Sequence, residues 1–252
     1  MLAAERRNII IERIFSEKKV IVNELSHEFD VSEETIRRDL EKLDSEGIVI
    51  KSYGGAVLNE KNNYDMPFAI RKKENVAGKA YIAKNVAKII MNGEHIFLDP
   101  STTGREIVRA LKGKKNITLV TNSVEILGEL TDANGWDIIS TGGSLREKYL
   151  ALVGTRAIEC IGEFNVDKAV ISCKGIDMNN GITDGNDDLS MVKRAMLENA
   201  KEKILAVDKS KFGMVGFSKI CNFGDIDIVV TDEKPDDRWL ELFDKNNIQC
   251  IY

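Results

Sequence analysis

Apolar residues near the N-terminus recur at helical spacing and then form short runs typical of strands. The positions that mark the buried faces of three predicted helices are Ile10, Ile14, Leu25, Phe29, Ile36, Leu40 and Leu43. Asp30-Val31 leaves room only for a sharp turn between the second and third helices. After Gly47, Ile48–Ser52 predicts a strand, and Tyr53-Gly54-Gly55 turns it into a second strand at Ala56-Val57-Leu58. Residues 3–58 therefore predict a winged helix-turn-helix.

The third of these helices presents a cationic surface. Ser32 is a good N-cap, and the two glutamates after it suit the positive end of the helix dipole. Because the apolar stripe packs on the core, Arg37 and Arg38 are predicted to face outward. Arginine can bind guanine with two hydrogen bonds, whereas a serine hydroxyl suits a phosphate. An exposed cationic helix beside a glycine-tipped ribbon predicts binding to double-stranded DNA.

The predicted DNA contacts come from this helix and the ribbon: Ser32, Glu34, Thr35, Arg37, Arg38, Lys42, Lys51, Tyr53, Gly54 and Gly55. The alternative interpretation is a solvated charged face on an ordinary helical domain. Residues 1–57 contain nine Lys and Arg against twelve Asp and Glu, and the whole chain has a formal net charge of −5. We favour DNA because affinity depends on where the cations lie rather than on their sum.

The rest of the chain alternates helix-period and strand-period segments. The apolar runs that predict strands are HIFLD, ITLVT, WDIIS, DKAVIS, ILAVD and DIDIVVTD. This alternation predicts an α/β fold, a mostly parallel sheet covered by helices on both faces. We expect this domain to span residues 76–252 and to follow a polar linker, residues 59–75. The cluster Arg71-Lys72-Lys73 in the linker is either solvated or a contact for the DNA backbone.

Five of the predicted strands end in small or polar residues. Ligands of open parallel sheets bind beyond the carboxyl ends of the strands, so these loops predict one shared crevice. The candidate effector-binding residues are Asp99, Ser101, Thr102, Thr103, Thr121, Asn122, Gly142, Gly143, Lys174, Gly175, Lys193, Asp208 and Lys211. Each loop taken singly is equally well an ordinary helix cap or turn. Their repetition at five strand ends favours an anionic ligand.

The candidate residues divide by chemistry. Ser101-Thr102-Thr103 precede a helix expected to begin near Arg105, and they offer hydroxyls and free N–H groups to a phosphate dianion. Three lysines, at 174, 193 and 211, are candidates for neutralising the phosphate. Asp99, Asn122 and Asp208 could hold sugar hydroxyls.

The motifs occur in an order that resembles one known family. EL, VSEETIRRDL, LDSEG and GGA, within residues 3–58, resemble the DNA-binding head of DeoR-type bacterial transcription regulators. LDPSTT, VTNS, TGGSLR, GITDGN with VKRAML, DKSKFG and DIDIVVTD resemble the sugar-phosphate sensor domain of the same family. That domain is similar in fold to ribose phosphate isomerase and aminosugar phosphate deaminases. The resemblance implies a phosphorylated sugar or a related phosphometabolite as effector.

The overall composition excludes further classes of protein. No apolar run approaches the roughly 18 residues of a membrane helix, and the N-terminus lacks the layout of a signal peptide, so we expect a cytoplasmic protein. The four cysteines, at 160, 173, 221 and 250, form no close pairs, and there are two histidines. We therefore predict core thiols, no metal site and no cofactor, with Cys173 set apart by its place in a ligand loop.

Three functions remain open at this stage. The leading hypothesis is a repressor that binds operator half-sites as a homo-oligomer, a dimer or tetramer, under the control of its effector. A sugar-phosphate isomerase or deaminase is the competing class, although no acid and base pair can be placed together from the sequence. A sugar-phosphate-binding scaffold would bind DNA with little preference for sequence.

Overall fold

The structure is a computed structural model, and it describes residues 1–59, 66–131 and 135–252. The chain divides into two compact units, Met1–Asp65, called the head below, and Met66–Tyr252, called the sensor unit. No helix among the described residues is long and apolar enough to cross a membrane.

The head is a winged helix-turn-helix, as predicted. Its helices are α1 (Ala3–Glu17), α2 (Val22–Phe29) and α3 (Glu33–Ser45), and its strands are β1 (Lys19–Ile21), β2 (Val49–Ser52) and β3 (Gly55–Leu58). The strands form an antiparallel sheet in the order β1-β3-β2. The sequence pattern predicted only two strands, because three residues between helices are too few to show an alternation.

The wing depends on two glycines for different reasons. Gly54 has a φ of +79°, a conformation that glycine adopts without strain, and it completes the turn between β2 and β3. Gly55 pairs with Ile21 of β1. A Cβ at position 55 would lie 2.1 Å from the carbonyl oxygen of Val20, so the close approach of β1 and β3 requires glycine there.

A buried ion pair joins the first and third helices of the head. The guanidinium Nε of Arg6 lies 2.6 Å from Asp39 Oδ2, and the two side chains are 7% and 5% exposed. Arg7 contacts the other carboxylate oxygen of Asp39 at 3.2 Å. Asp39 therefore fixes α3 against α1 directly beside the cationic residues of α3.

The sensor unit has seven helices and twelve strands among its described residues. The helices are α4 (Phe68–Arg71), α5 (Val76–Ile89), α6 (Thr102–Leu111), α7 (Val124–Glu129), α8 (Thr155–Gly162), α9 (Asp187–Glu198) and α10 (Asp237–Lys245). The strands are β4 (His95–Leu98), β5 (Thr118–Thr121), β6 (Asp137–Ser140), β7 (Ser144–Arg146), β8 (Ala151–Val153), β9 (Val166–Ile171), β10 (Gly175–Asp177), β11 (Gly181–Asp184), β12 (Ala200–Ala206), β13 (Ser218–Cys221), β14 (Ile228–Val230) and β15 (Gln249–Ile251).

Seven of these strands form one parallel sheet in the order β15-β14-β12-β9-β4-β5-β6. The chain order reverses between β4 and β9, which places the topological switch point of the sheet there. Apolar clusters cover the sheet: Ile82, Val86 and Ile107 belong to one, and Leu189, Val192 and Phe243 to another. The predicted mostly parallel α/β fold is confirmed. The small sheet β10-β11-β13 and the hairpin β7-β8 are additions that the sequence pattern did not predict.

Two local boundaries differ from the sequence prediction. The helix after β4 begins at Thr102 rather than near Arg105, because Ser101 is its N-cap and accepts a hydrogen bond from the Gly104 N–H at 2.8 Å. Residues 66–75, predicted as part of the linker, belong to the sensor unit and include the short helix α4.

We predict that Asp39→Asn destabilises the head by about 3 kcal/mol, because the buried guanidinium of Arg6 loses its counter-ion. This loss of stability can be measured by urea unfolding, with amide hydrogen exchange in α1 and α3 as the readout. Lys42→Gln is the control, since it removes only an exposed pair with Glu46 and should cost less than about 0.5 kcal/mol. Equal stability of Asp39→Asn and the parent protein would contradict the assigned role.

Candidate functional site

Helix α3 carries its arginines on the solvent side, as the sequence pattern predicts. Ile36, Leu40 and Leu43 are buried in the head core. Arg37 and Arg38 are 51% and 76% exposed. At the start of the helix, the Ser32 hydroxyl accepts a hydrogen bond from the Thr35 N–H at 3.2 Å, so the cap fixes the end of α3.

Each predicted cationic contact of the head has an acidic partner. The pairs are Arg37 with Glu33 at 2.6 Å, Arg38 with Glu34 at 3.3 Å, Lys42 with Glu46 at 3.6 Å, and Lys51 with Glu41 at 2.9 Å. The ammonium of Lys51 lowers the pKa of Glu41. Exposed pairs of this kind are worth little, so they hold the cations in place at a small cost when a phosphate displaces the acid.

The tip of the wing is open to solvent. The Tyr53 side chain is fully exposed, and nothing lies within 4 Å of a Cβ built on Gly54. Lys51 precedes this tip on β2, so the wing offers one cation, one aromatic ring and a tight turn at its exposed end.

The sensor unit gathers polar residues where its parallel strands end. Asp99 follows β4 at the switch point and is 1% exposed. Its carboxylate accepts hydrogen bonds from the Ser101 hydroxyl at 2.6 Å and from the Ser172 N–H, beyond neighbouring β9, at 3.0 Å. Asp99 therefore holds the two loops of the switch point together.

Lys193 of α9 completes this arrangement. Its ammonium lies 3.0 Å from Asp99 and 2.5 Å from Asp184, and it donates to the Ser172 carbonyl at 2.7 Å. Burial opposes the charge of Lys193, but the carboxylates of Asp184 and Asp99 outweigh it and raise the pKa of Lys193. The ammonium thus stays charged, and all three of its hydrogens have acceptors within the protein.

The neighbouring strand β5 ends in two buried polar residues. The Thr121 hydroxyl donates to the Leu98 carbonyl at 2.7 Å, which ties β5 to β4. The Asn122 amide donates to the Leu152 carbonyl at 2.9 Å, whereas its Oδ1 is buried and has no hydrogen-bond partner among the residues that the structure describes. Buried polar atoms are usually hydrogen-bonded, so this oxygen is a candidate acceptor for a ligand hydroxyl.

The N-terminus of α6 lies at the same edge of the sheet. Ser101, Thr102 and Thr103 are all buried. The Ser101 hydroxyl is already used by Asp99 and by the cap. The hydroxyls of Thr102 and Thr103 form no hydrogen bond with the described part of the chain, and the backbone N–H groups of a first helical turn have no acceptor inside their helix.

Two glycines of the predicted site are required by packing. Gly143 has a φ of +112°, and a Cβ there would lie 2.5 Å from the Val153 carbonyl oxygen; Gly142 beside it also has a positive φ. A Cβ on Gly175 would lie 2.2 Å from the Met214 carbonyl oxygen. Both close approaches bring loops near the strand ends.

The crevice is the space beyond the carboxyl ends of β4, β5, β6, β9 and β12. One lysine near it, Lys79, is absent from the candidates that the sequence suggested. Lys174 and Lys211 are half-buried, and Asp208 is buried and accepts from the Ser210 N–H at 2.9 Å. Lys79 of α5 is also buried, at 5% exposure. The pKa of Lys79 is lowered to about 8, chiefly by burial, and the charges of Asp208 and Lys211 act on it in opposite directions.

A signal for Lys79 was present in the sequence. Positions 79, 82, 83 and 86 form the buried stripe of α5, and three of them are apolar. A lysine on the apolar stripe of an amphipathic helix is unusual, because burying an ammonium is costly. Helix α5 begins at the carboxyl edge of the sheet, where Asn75 donates to Asp232 just beyond β14 at 2.9 Å. Lys79 lies in the first turn of α5 and therefore near this edge of the sheet.

Cys173 follows β9 beside these groups. It is buried, and its burial raises the pKa of the thiol well above the ordinary value, so it stays protonated. A separate cavity of about 430 Å³ lies between α9 and β13 and contains none of the predicted site residues.

A winged helix-turn-helix joined to a parallel α/β unit with polar strand ends defines a class: ligand-responsive DNA-binding regulators. Residues 6–62 match the family model of the DeoR-like helix-turn-helix domain, and residues 74–233 match that of the DeoR C terminal sensor domain. The chain therefore belongs to the DeoR family of transcription regulators, as its motifs indicated.

Several relatives align along nearly the full chain. The HTH-type transcriptional regulator YulB of Bacillus subtilis is 39% identical over 92% of this chain and 90% of its own. The HTH-type transcriptional repressor GlcR of Bacillus subtilis is 31% identical over 100% and 96%. The glycerol-3-phosphate regulon repressor of Escherichia coli is 31% identical over 99% and 98%. Among solved structures, ribose 5-phosphate isomerase A of Methanocaldococcus jannaschii covers 55% of each chain at 17% identity with a TM-score of 0.41.

We predict that Lys193→Met destabilises the sensor unit by about 3–5 kcal/mol, because it leaves two buried carboxylates without their cation. Urea unfolding followed by tryptophan fluorescence measures it, since Trp136 and Trp239 both lie in this unit. Lys201→Met, which removes a 75% exposed lysine paired with Asp167, should change stability by less than about 1 kcal/mol. A Lys193→Met protein as stable as the parent would show that the pair contributes no net stability.

Proposed function

We propose that this protein is a repressor that binds operator DNA through its head and is controlled by a phosphorylated sugar, or a related phosphometabolite, bound in the crevice. One observation gives the strongest support to a phosphorylated ligand. Lys79 near the start of α5, Lys211 in the turn after β12 and the start of α6 all lie at the carboxyl edge of the parallel sheet, and the hydroxyls of Thr102 and Thr103 bond to nothing in the described part of the chain. Two relatives are named as repressors, GlcR and the repressor of a glycerol-3-phosphate regulon.

The proposed DNA-contacting surface is the exposed face of α3 with the tip of the wing. Arg37, Arg38 and Thr35 would contact base edges and phosphates in a groove, and Lys51 and Tyr53 would contact the backbone beside it. The glutamates that pair with these cations in the free head would turn away as phosphates replace them.

The proposed phosphate site is made by Lys79, Lys211 and the start of α6. Thr102 and Thr103 offer two hydroxyls and two backbone N–H groups, and the lysines supply positive charge. We assign Asp99 and Lys193 to holding the two loops of the switch point rather than to ligand contact, because their hydrogen bonds are used within the protein. Asn122 Oδ1 is the proposed acceptor for a ligand hydroxyl.

The enzyme alternative is not adopted. A proton-transferring base needs a carboxylate free to change its protonation state. Asp99 and Asp184, two buried carboxylates at the switch point, are both ion-paired with Lys193. This arrangement suits a fixed binding site.

We further propose that the protein acts as a homo-oligomer, a dimer or tetramer, since paired heads match paired operator half-sites. One segment of the sensor unit exposes apolar side chains: Met214 is 45%, Val215 40% and Phe217 82% exposed. Exposed apolar side chains in one segment are typical of an interface.

A thermal-shift panel of sugar phosphates tests the ligand class. A ligand that binds only the folded protein raises the melting temperature in proportion to its affinity. We expect at least one phosphorylated sugar to shift the transition while its unphosphorylated sugar does not. Equal shifts from both members of such a pair would contradict the phosphate site, and turnover of the ligand would favour the enzyme alternative.

We predict that Arg38→Ala weakens binding to the DNA upstream of the protein's own operon by about 1–3 kcal/mol, as expected for an arginine that contacts DNA. Fluorescence anisotropy against a random duplex of equal length measures both affinity and preference. Lys201→Ala, an exposed lysine of the sensor unit, is the matched control and should leave affinity unchanged. Parent-like affinity of Arg38→Ala would contradict the proposed surface.

We predict that phosphate-ligand affinity falls as pH rises through about 8, because Lys79 then loses its proton in the free protein. Phosphate monoesters are already dianionic above pH 7, so the ligand does not titrate in this range. The loss should approach tenfold between about pH 7 and 9. Calorimetric titration at several pH values measures it, and Lys79→Arg, which stays charged, should flatten the profile. A pH-independent affinity of the parent would place Lys79 outside the site.

A further inference from the structure

Lys79 has a second set of partners besides the charges of the crevice. Its ammonium donates hydrogen bonds to the backbone carbonyls of Arg71 and Glu74, the latter at 2.6 Å. These carbonyls belong to α4 and the turn after it, within the first ten residues of the sensor unit. One buried side chain thus contacts the segment that follows the head in the chain, and its charge is influenced by Asp208 and Lys211 of the crevice.

The same segment is fastened to the sensor unit at further points. The guanidinium of Arg71 lies over the ring of Tyr149 at 5.5 Å, and within the segment it also lies over the ring of Phe68 at 5.8 Å. Lys72 lies 3.7 Å from Glu125 of α7. These contacts are weak singly, and together they hold residues 66–75 on the sensor unit.

Asp232 supplies a direct link between the segment and the crevice. One of its carboxylate oxygens accepts from the Asn75 amide at 2.9 Å, and the other accepts from the Lys209 N–H at 2.8 Å. Lys209 opens the short 3₁₀ turn that contains Lys211. A change in that turn therefore reaches Asn75 through a single side chain.

The ammonium of Lys79 has one N–H donor beyond the two that bond to carbonyls. An ammonium has three N–H donors, and two of them bond to carbonyls. Within the residues that the structure describes, the third has no hydrogen-bond partner. Carbonyl oxygens offer only partial charges, so a full negative charge at the open position would strengthen the whole arrangement.

We propose that an anion bound in the crevice completes the contacts of Lys79 and thereby fixes residues 66–75, the segment through which the sensor unit is joined to the head. This inference rests on the proposed phosphate site. The anion does not compete with the segment, because it takes the donor that the carbonyls leave open. Effector binding and the order of the joining segment are then linked, and the linkage is reciprocal.

Amide hydrogen exchange of the full-length protein tests the proposal, with inorganic phosphate as the probe and chloride at equal ionic strength as the reference. Two peptides report separate events. Protection of residues 99–111 reports phosphate at α6, and protection of residues 66–79 reports the joining segment. We expect phosphate to slow exchange in both peptides, roughly tenfold in the second.

Variants separate the link from the binding site. Asn75→Asp keeps the left-handed backbone at this position, where φ is 42°, and keeps the helix cap, but it removes the donor to Asp232. It should retain phosphate protection of residues 99–111 and lose most of the protection of residues 66–79. Lys84→Gln, an exposed lysine on the same helix, should respond like the parent.

The outcomes are distinguishable. Protection of residues 99–111 with unchanged exchange in residues 66–79 would overturn the link and leave the proposed phosphate site intact. Faster exchange in residues 66–79 would also overturn it, because it would mean that the anion releases the segment. No protection in either peptide would overturn the phosphate site and the link together.

Discussion

The ion pair between Asp99 and Lys193 is the interaction on which the sensor unit depends. It sits at the point where the chain order of the sheet reverses, and the same carboxylate accepts the N–H of Ser172 from the neighbouring loop. At such a point the loops that follow two neighbouring strands run in opposite directions. A crevice forms between these loops. A buried carboxylate and ammonium bridge the gap with fixed geometry, so the surrounding loops are held before any ligand arrives.

Two buried lysines of the sensor unit differ in how their charge is balanced. Lys193 satisfies all its donors within the protein, whereas the hydrogen-bond partners of Lys79 in the described part of the chain are two carbonyl oxygens. The physical difference is the counter-charge: Lys193 faces two carboxylates, and burial lowers the pKa of Lys79. An anionic ligand is stabilised where positive charge is under-compensated, and the ligand site that we propose includes such a place at the start of α5. The head follows a different design, because its cations are paired with exposed glutamates that a phosphate can displace at little cost.

The pattern of apolar and polar residues in the sequence was sufficient to predict the architecture. Helical spacing of Ile36, Leu40 and Leu43 predicted the buried face of α3, and alternation of apolar runs predicted the parallel sheet, because both periods follow from local geometry. The pattern did not predict the short strand β1. It has only three residues, and it forms by pairing with β3, which is distant in the sequence. The candidate site was inferred from the positions of polar residues at strand ends rather than from their chemistry, and it stays a prediction. Strand ends identified the loops, but which lysine is neutralised internally depends on partners 94 residues apart in the chain, such as Asp99 and Lys193. In the sequence, the only signal for Lys79 is its position as a charged residue on the apolar face of α5.

The central claim is that an anion in the crevice controls how the head binds DNA. Its most direct test is a pair of titrations on the parent protein: operator affinity with and without the phosphorylated ligand, and ligand affinity with and without operator. The account predicts that both affinities change by the same factor, since coupling free energies are reciprocal. Operator affinity that stays constant at saturating ligand would contradict it.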